Sequence, residues 1–210
     1  KKDTLITRSF RDMMIQSMNG QDIGPLNTGI HVDDVVTSFD QGNLEQTDRL
    51  TDVALAGDGF FVVNTAAGVR YTRDGAFAVN RDGYLVNSEG NNIQGVNGNI
   101  FVGSGEFTID EHGYVTVNGQ TVNRLLLVTF ADLTGLEKVG SNMFAQGSAG
   151  APQQATGCQV KQGYLETSNV NMAEEMVTMV ELNRAYQVNQ RVLTMLDQSL
   201  GKTVNEVGKV

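Results

Sequence analysis

Over the first eighteen residues, TLITRSFRDMMIQSM places Ile6, Phe10, Met13, Met14 and Met18 near helical spacing. Asp3 or Thr4 supplies a cap and Asn19-Gly20 a stop, which predicts a short N-terminal helix over 4–18. From Gln21 to about Asn43 the pattern turns loop-like, with Gly24-Pro25 and Asn27 to Gly29, and HVDDVVTSF reads as an extended segment within it. Between 53 and 130 the period changes to two. Phe60 to Val63 is a short apolar run, while Val69 and Tyr71, then Phe77 and Val79, alternate with polar neighbours. Phe107 and Ile109 precede Asp110-Glu111-His112-Gly113, Val115 and Val117 precede Asn118-Gly119, and Val122 and LLLVTF follow. Asn-Gly between alternating segments is a strong hairpin signal, because both residues tolerate positive φ. Asp58-Gly59, Asp74-Gly75 and Asp82-Gly83 read as further corners of the same meander, with Gly supplying positive φ and Asp bonding its own backbone. From Gly140 to Gly163 the composition predicts loop plus one strand.

After that comes a long helix, SNVNMAEEMVTMVELNRAYQVNQRVLTMLDQSLGKTV. Asn171 is its expected N-cap, Glu174 the capping-box partner, and Glu175 stands where the helix dipole favours an acid. Met172, Met176, Met179, Asn183, Tyr186, Gln190, Leu193, Asp197 and Leu200 step by four and three, the seam of a coiled coil interrupted by polar residues. A helix packed on its own domain through Leu182, Tyr186, Leu193 and Leu196 fits the periodicity equally. The expected fold is mainly β with terminal α-helices, an antiparallel meander of hairpins lying between them. Its expected parts are an N-terminal helix at 1–20, an extended linker at 21–52, a β-rich domain at 53–165 and the C-terminal helix at 166–204.

Composition narrows the chemistry. The chain has 210 residues and a net charge of −9, which would repel a phosphate backbone and argues against nucleic acid. A single cysteine, Cys158, excludes an internal disulfide framework and a cysteine-built zinc cage. Neither His31 nor His112 is near it in sequence to activate it. No run approaches a bilayer span, and no signal-peptide core is visible. The glycine- and acid-rich stretch GDGFFVVNTAAGVRYTRDGAFAVNRDGYLV invites a ligand reading, yet the patterns fail. Phe60 and Phe61 follow Gly57-Asp58-Gly59 where a phosphate loop needs another glycine and a helix. Arg81 interrupts the acids of Asn80-Arg81-Asp82-Gly83, and no closing glutamate completes a calcium loop. No HExxH and no GxSxG occurs. Neither a catalytic residue, a metal site nor a cofactor is therefore expected.

The order of the parts carries a resemblance. QGNLEQTDRLTDVALAGDGFFVV, then YTRDGAFAVNRDGYLV, then GYLETSNVNMAEEMVTMVELNRAYQVNQRVLTMLDQSL resembles the flagellar rod and hook-basal-body proteins, most of all the distal-rod type, from about Gly29 to Leu200. The resemblance implies terminal helices paired in the inner wall of a tube, a β-rich domain outside it, and a chain that begins just past the family's first helix. It implies a structural, torque-transmitting rod subunit rather than an enzyme. Its partners would be copies of itself, other rod and hook proteins and the type III export apparatus, with no small-molecule substrate. It also implies export to the basal body without a cleaved signal. The residues carried over are Ser168, Asn169, Val170, Asn171, Glu175, Arg184, Ala185, Tyr186 and Asn189, and the helix face adds Leu196; the implied role is packing and register. Leu182-Asn183 departs from the Thr-Gln usual there, and the loop between Asn19 and His31 is short, which leaves a hook or proximal-rod component open. A secreted glycan-binding or hydrolytic β-domain is the alternative from another class, and it predicts a cleft with converging carboxylates.

Overall fold

The computed structural model describes residues 2–8, 12–16, 22–27 and 31–207, with side chains described from Thr37 onward except at 197 and 202–207. It divides into two compact units, Lys1–Asn169 and Val170–Val210.

In chain order the strands begin with β1 (Lys2–Arg8), β2 (Asp12–Gln16), β3 (Asp22–Asn27), β4 (His31–Ser38), β5 (Leu44–Gln46), β6 (Val53–Ala56) and β7 (Phe60–Thr65). Then follow β8 (Gly68–Thr72), β9 (Ala78–Val79), β10 (Leu85–Val86), β11 (Asn92–Gly95), β12 (Gly98–Asn99), β13 (Phe107–Ile109) and β14 (Tyr114–Val117). The last are β15 (Gln120–Arg124), β16 (Leu127–Thr129), β17 (Glu137–Gly140), β18 (Met143–Ala145), β19 (Gln153–Gln154), β20 (Gln159–Gln162) and β21 (Tyr164–Glu166). The helix found among the described residues, α1 (Met172–Val207), makes up most of the second unit.

The main sheet runs β17-β18-β8-β7-β11-β10-β9, with β12 on β11, β16 on β7 and β19 on β16. β13, β14 and β15 form a three-stranded sheet; β1 pairs with β4, β2 with β3, β6 with β20, and β5 with β21. The described pairings are antiparallel, so the unit is a mainly β, antiparallel structure followed by a helix.

β7 explains the unbroken run FFVV. Phe61 and Val63 enter one core with Val53, Leu55, Phe77, Leu85 and Ile93; Phe60 and Val62 enter another with Tyr71, Phe130 and Phe144. Successive side chains of a strand point to opposite faces, so a strand with a core on each face must be apolar at every position. LLLVTF follows the same rule, Leu125 and Leu127 going to the first core and Val128 and Phe130 to the second. Edge-to-face rings knit both cores: Phe61 lies 5.0 Å from Phe77, and Tyr71 4.8 Å from Phe130. Each side chain of this size contributes about 1.5–3 kcal/mol on burial.

Some expectations are corrected. The helix expected over 4–18 is not what stands there: β1 and β2 occupy Lys2–Arg8 and Asp12–Gln16, and Phe10 and Met18 lie outside the described residues. Thr4, Ile6, Thr7 and Ile15 are β-branched and favour extended backbone, which the helical spacing of the methionines had masked. The stretch from Gly140 to Gly163 holds three strands beyond the end of β17, namely β18, β19 and β20, because Met143, Phe144 and Val160 are buried. Residues 166–169 belong to the β unit, and the helix begins only at Met172.

The turns divide into two kinds. Asn118 and Gly119 join the paired β14 and β15 with φ of 49° and 79°, the two-residue hairpin the dipeptide favours. Asp82-Gly83 likewise lies between paired strands, β9 and β10. Asp58-Gly59 and Asp74-Gly75, by contrast, are not hairpin corners: β6 pairs with β20, not β7, and β9 pairs with β10, not β8. They are passages between strands that are not neighbours. At Gly75 the chain presses against β6, the Val53 amide donating to the Gly75 carbonyl at 3.0 Å, and a Cβ there would collide with the Val53 carbonyl.

Candidate functional site

The strongest polar constellation among the described residues gathers three of the quoted motifs. Arg73, from YTRDG, is 7% exposed and pairs with Glu166, from GYLE, at 3.0 Å; the Glu166 side chain is 5% exposed. The same guanidinium donates to the carbonyls of Gly59 and Gly57, each at 3.1 Å. The second Glu166 oxygen accepts from the Gly42 amide at 3.0 Å. Beside them the Gln41 amide donates to the Leu55 carbonyl and accepts from the Gly57 amide. Arginine suits this place because its planar fork serves several acceptors at once. Phe39 adds the apolar hold, 5.7 Å from Phe60 and 5.2 Å from Phe144.

These contacts fix the β5–β21 ribbon on the β6–β7 passage. The ribbon is prolonged past its strands. Thr167 donates from its amide and hydroxyl to the Asn43 carbonyl, and the Asn169 amide donates to the carbonyls of Ser38 and Asp40. Asn169, singled out for assembly, thus stitches the incoming to the outgoing chain within its own unit.

A cleft of about 290 Å³ beside this junction is lined by Arg73, Asp74, Asn142, Phe144 and Glu166 among others. Its carboxylates are committed to structure. Glu166 holds Arg73 and Gly42, while Asp74 accepts from the Ala76 amide and from the Asn142 side chain. Such engagement is the reverse of what a hydrolase's acid and nucleophile require. Burial pushes the Cys158 thiol up, an effect that Asp58 and Glu166 reinforce and Arg73 opposes, so the protonated and unreactive form is favoured. Among the described residues no cluster of His, Cys, Asp and Glu is arranged to hold a metal, and no helix is long and apolar enough to cross a membrane.

The Asp-Gly echoes rest on residues that sequence reasoning passed over. Asn80, Asn87 and Asp110 each accept, through one side-chain oxygen, the amides two and four positions on: Asp82 and Tyr84, Glu89 and Asn91, His112 and Tyr114. Each turn carries a glycine at the fourth position, Gly83, Gly90 and Gly113, with φ of 82°, 84° and 81°. The recurring element is therefore Asn/Asp-x-x-Gly, and its leading residue, not the acid before the glycine, organises the loop. That spacing was readable. Arg73 and Glu166 were not, because they lie 93 positions apart and neither disturbs a local pattern.

In α1, Asn171 caps as expected, its side-chain oxygen accepting from the Ala173 amide at 3.2 Å. No return bond from Glu174 to Asn171 occurs among the described residues; Glu174 and Glu175 stand in the first turn. Along the proposed seam Met172, Met176, Met179, Tyr186, Leu193 and Leu200 are 61–66% exposed, and Leu182 and Leu196 are 66% and 54%. Two polar seam residues bond inside the helix: Asn183 donates to the Met179 carbonyl, and Gln190 to the Tyr186 hydroxyl. Arg184, Ala185 and Asn189 are exposed beside them. Ser168 ends the ribbon, and Val170 opens the second unit.

Comparison with known proteins finds two family matches, the second of which spans the end of the β unit and the helix. A model of the flagellar hook protein FlgE/F/G D1 domain matches residues 54–128, and one of the flagellar basal body rod FlgEFG protein C-terminal region matches 161–206. Arg73 lies in the first match and Glu166 in the second. The flagellar basal-body rod protein FlgG of Bacillus subtilis is 32% identical over 94% of this chain and 84% of its own length. The FlgF protein of Caulobacter vibrioides is 34% identical over 84% and 73%. FlgG of Buchnera aphidicola subsp. Baizongia pistaciae is 39% identical over 191 residues, 84% of this chain and 73% of its own. The chain belongs to the flagellar basal-body rod protein family and is FlgG-like.

Proposed function

We propose that this chain is a structural subunit of the bacterial flagellar basal-body rod, without catalytic activity, assembling with copies of itself and with other rod and hook proteins. It reaches the basal body through the flagellar export apparatus, and α1 with its methionine- and leucine-bearing seam packs in the tube. The observation that carries this reading is the exposure of that seam in a chain so similar to rod proteins. Burying about six such side chains contributes on the order of 10 kcal/mol. Association itself costs roughly 4–15 kcal/mol, so one partial contact is weak and several neighbours sharing the helix are strong. Head-to-tail contacts that do not close a ring give an open helical polymer, in which every copy has such neighbours.

The test is a double substitution, Met179→Asp with Leu193→Asp, in the genomic gene of the bacterium that encodes the chain. Swimming and rods in isolated basal bodies are expected to be lost while unfolding of the β unit is unchanged. Normal swimming overturns the reading. A hook position is the second reading, favoured by the match of residues 54–128 to a flagellar hook protein domain. Gold-labelled antibody on isolated basal bodies separates the two.

A further inference from the structure

We propose that the Arg73–Glu166 pair is a latch, holding the β5–β21 ribbon on the sheets and letting it come away as one piece when broken. The ribbon's own strands are three residues each, with no side chain fully buried. Its hold on the rest of the unit is mostly polar: at one end Thr47 donates to the Asp52 carboxylate and the Gly163 amide to the Asp52 carbonyl, and at the other the buried charges meet on Arg73. Arg73 Nε reaches Glu166, its two terminal nitrogens reach Gly59 and Gly57, and Glu166 reaches back to Gly42. A buried charge pair of this kind is strongly destabilised when one partner is lost, because the other is left without compensation. The sheets do not share that dependence: Val53, Phe61, Val63, Leu85, Ile93 and Val115 are 0% exposed and need no contact from the ribbon's charges. Strong cores beside a polar clasp are the arrangement in which one segment opens before the whole. The chain passes from the ribbon into α1 within three residues of Asn169. The latch therefore fixes the stretch of chain from which the terminal helix departs, a device independent of the assembly proposed above.

Hydrogen exchange on the full chain, followed by mass spectrometry of its peptides, tests this. In Glu166→Gln, which keeps the shape and removes the charge, peptides covering 40–47 and 163–169 are expected to exchange roughly 100-fold faster than in the unsubstituted chain. Those covering 60–72 and 107–124 keep their rates. Arg73→Lys gives the same pattern, since one ammonium cannot serve Glu166, Gly57 and Gly59 together. Unchanged ribbon peptides, or acceleration spread evenly over all peptides, overturns the latch. If Arg73→Lys prevents folding, Glu166→Gln decides alone. The measurement needs no polymer, so it stands or fails apart from the rod reading.

Discussion

The two units use apolar residues in opposite ways. In the β unit Leu55, Phe61, Val63, Leu85 and Ile93 are 0% exposed; in α1 Met176, Met179 and Leu193 are 61–66% exposed. The first unit finds partners for its strands and rings within its own chain, because its alternating pattern puts one face, or both, against a core. The helix gains little from its apolar side chains by itself. Thirty-six residues and an Asn171 cap are enough for a helix to form on local terms, since isolated helices become stable beyond about 12–15 residues. Its apolar side chains are thereby left exposed. A buried core and an exposed helix face are therefore written in the same residue types, separated by whether the unit itself supplies the other side.

The sharpest way to break that comparison is to truncate one side chain in each unit. Phe61→Ala removes a ring packed on Phe77 and is expected to cost about 3–5 kcal/mol in urea unfolding at 25 °C. Leu193→Ala in α1 is expected to change the stability of the single chain by less than about 0.5 kcal/mol. Equal losses at the two positions would show that the helix is held as firmly as the sheet.

Turn residues come next. Asp110→Ala loses the acceptor for the His112 and Tyr114 amides, at 2.9 and 2.8 Å, and is expected to cost about 1–2 kcal/mol. Asp82→Ala, in the dipeptide that first draws the eye, is expected to change stability by less than about 0.5 kcal/mol, because its backbone amide is what the turn holds. A reversed order would return the organising role to the acid before the glycine.

How much was legible follows from range. Strands with one buried face, such as Phe107–Ile109, and the hairpin at Asn118-Gly119 are local patterns and could be read directly. So could the cap at Asn171 and the length of α1 to within a few residues. The double-sided burial of Phe60 to Val63 was visible as an apolar run, but which core each residue joins depends on strands brought in from 127 to 144. The Arg73–Glu166 junction was illegible because its meaning lies in a partner far along the chain. The N-terminal residues misled in the other direction: methionines at helical spacing outweighed the β-branched residues among them, and β1 and β2 formed.

The smallest expected effect asks whether the contrast between units is one of strand against helix or of buried against exposed. Asp132 sits in an exposed turn of the β unit, and Thr134 donates to its carboxylate from both hydroxyl and amide, at 2.6 and 2.9 Å. The hydroxyl bond and then the amide bond hold its carboxyl below the usual range. A lowered folded value means that the stabilisation is present above the unfolded value, about 3.9, and is lost as the pH falls through the folded one. Thr134→Ala removes the larger cause, so a carboxyl titration followed by NMR is expected to show the Asp132 midpoint moving up. The acid side of the stability profile flattens accordingly, while stability near neutral pH changes as little as for Leu193→Ala. A large loss at neutral pH would mean that even the exposed turns of the β unit are bound into its core, and that the division follows the units themselves and not the burial of each residue.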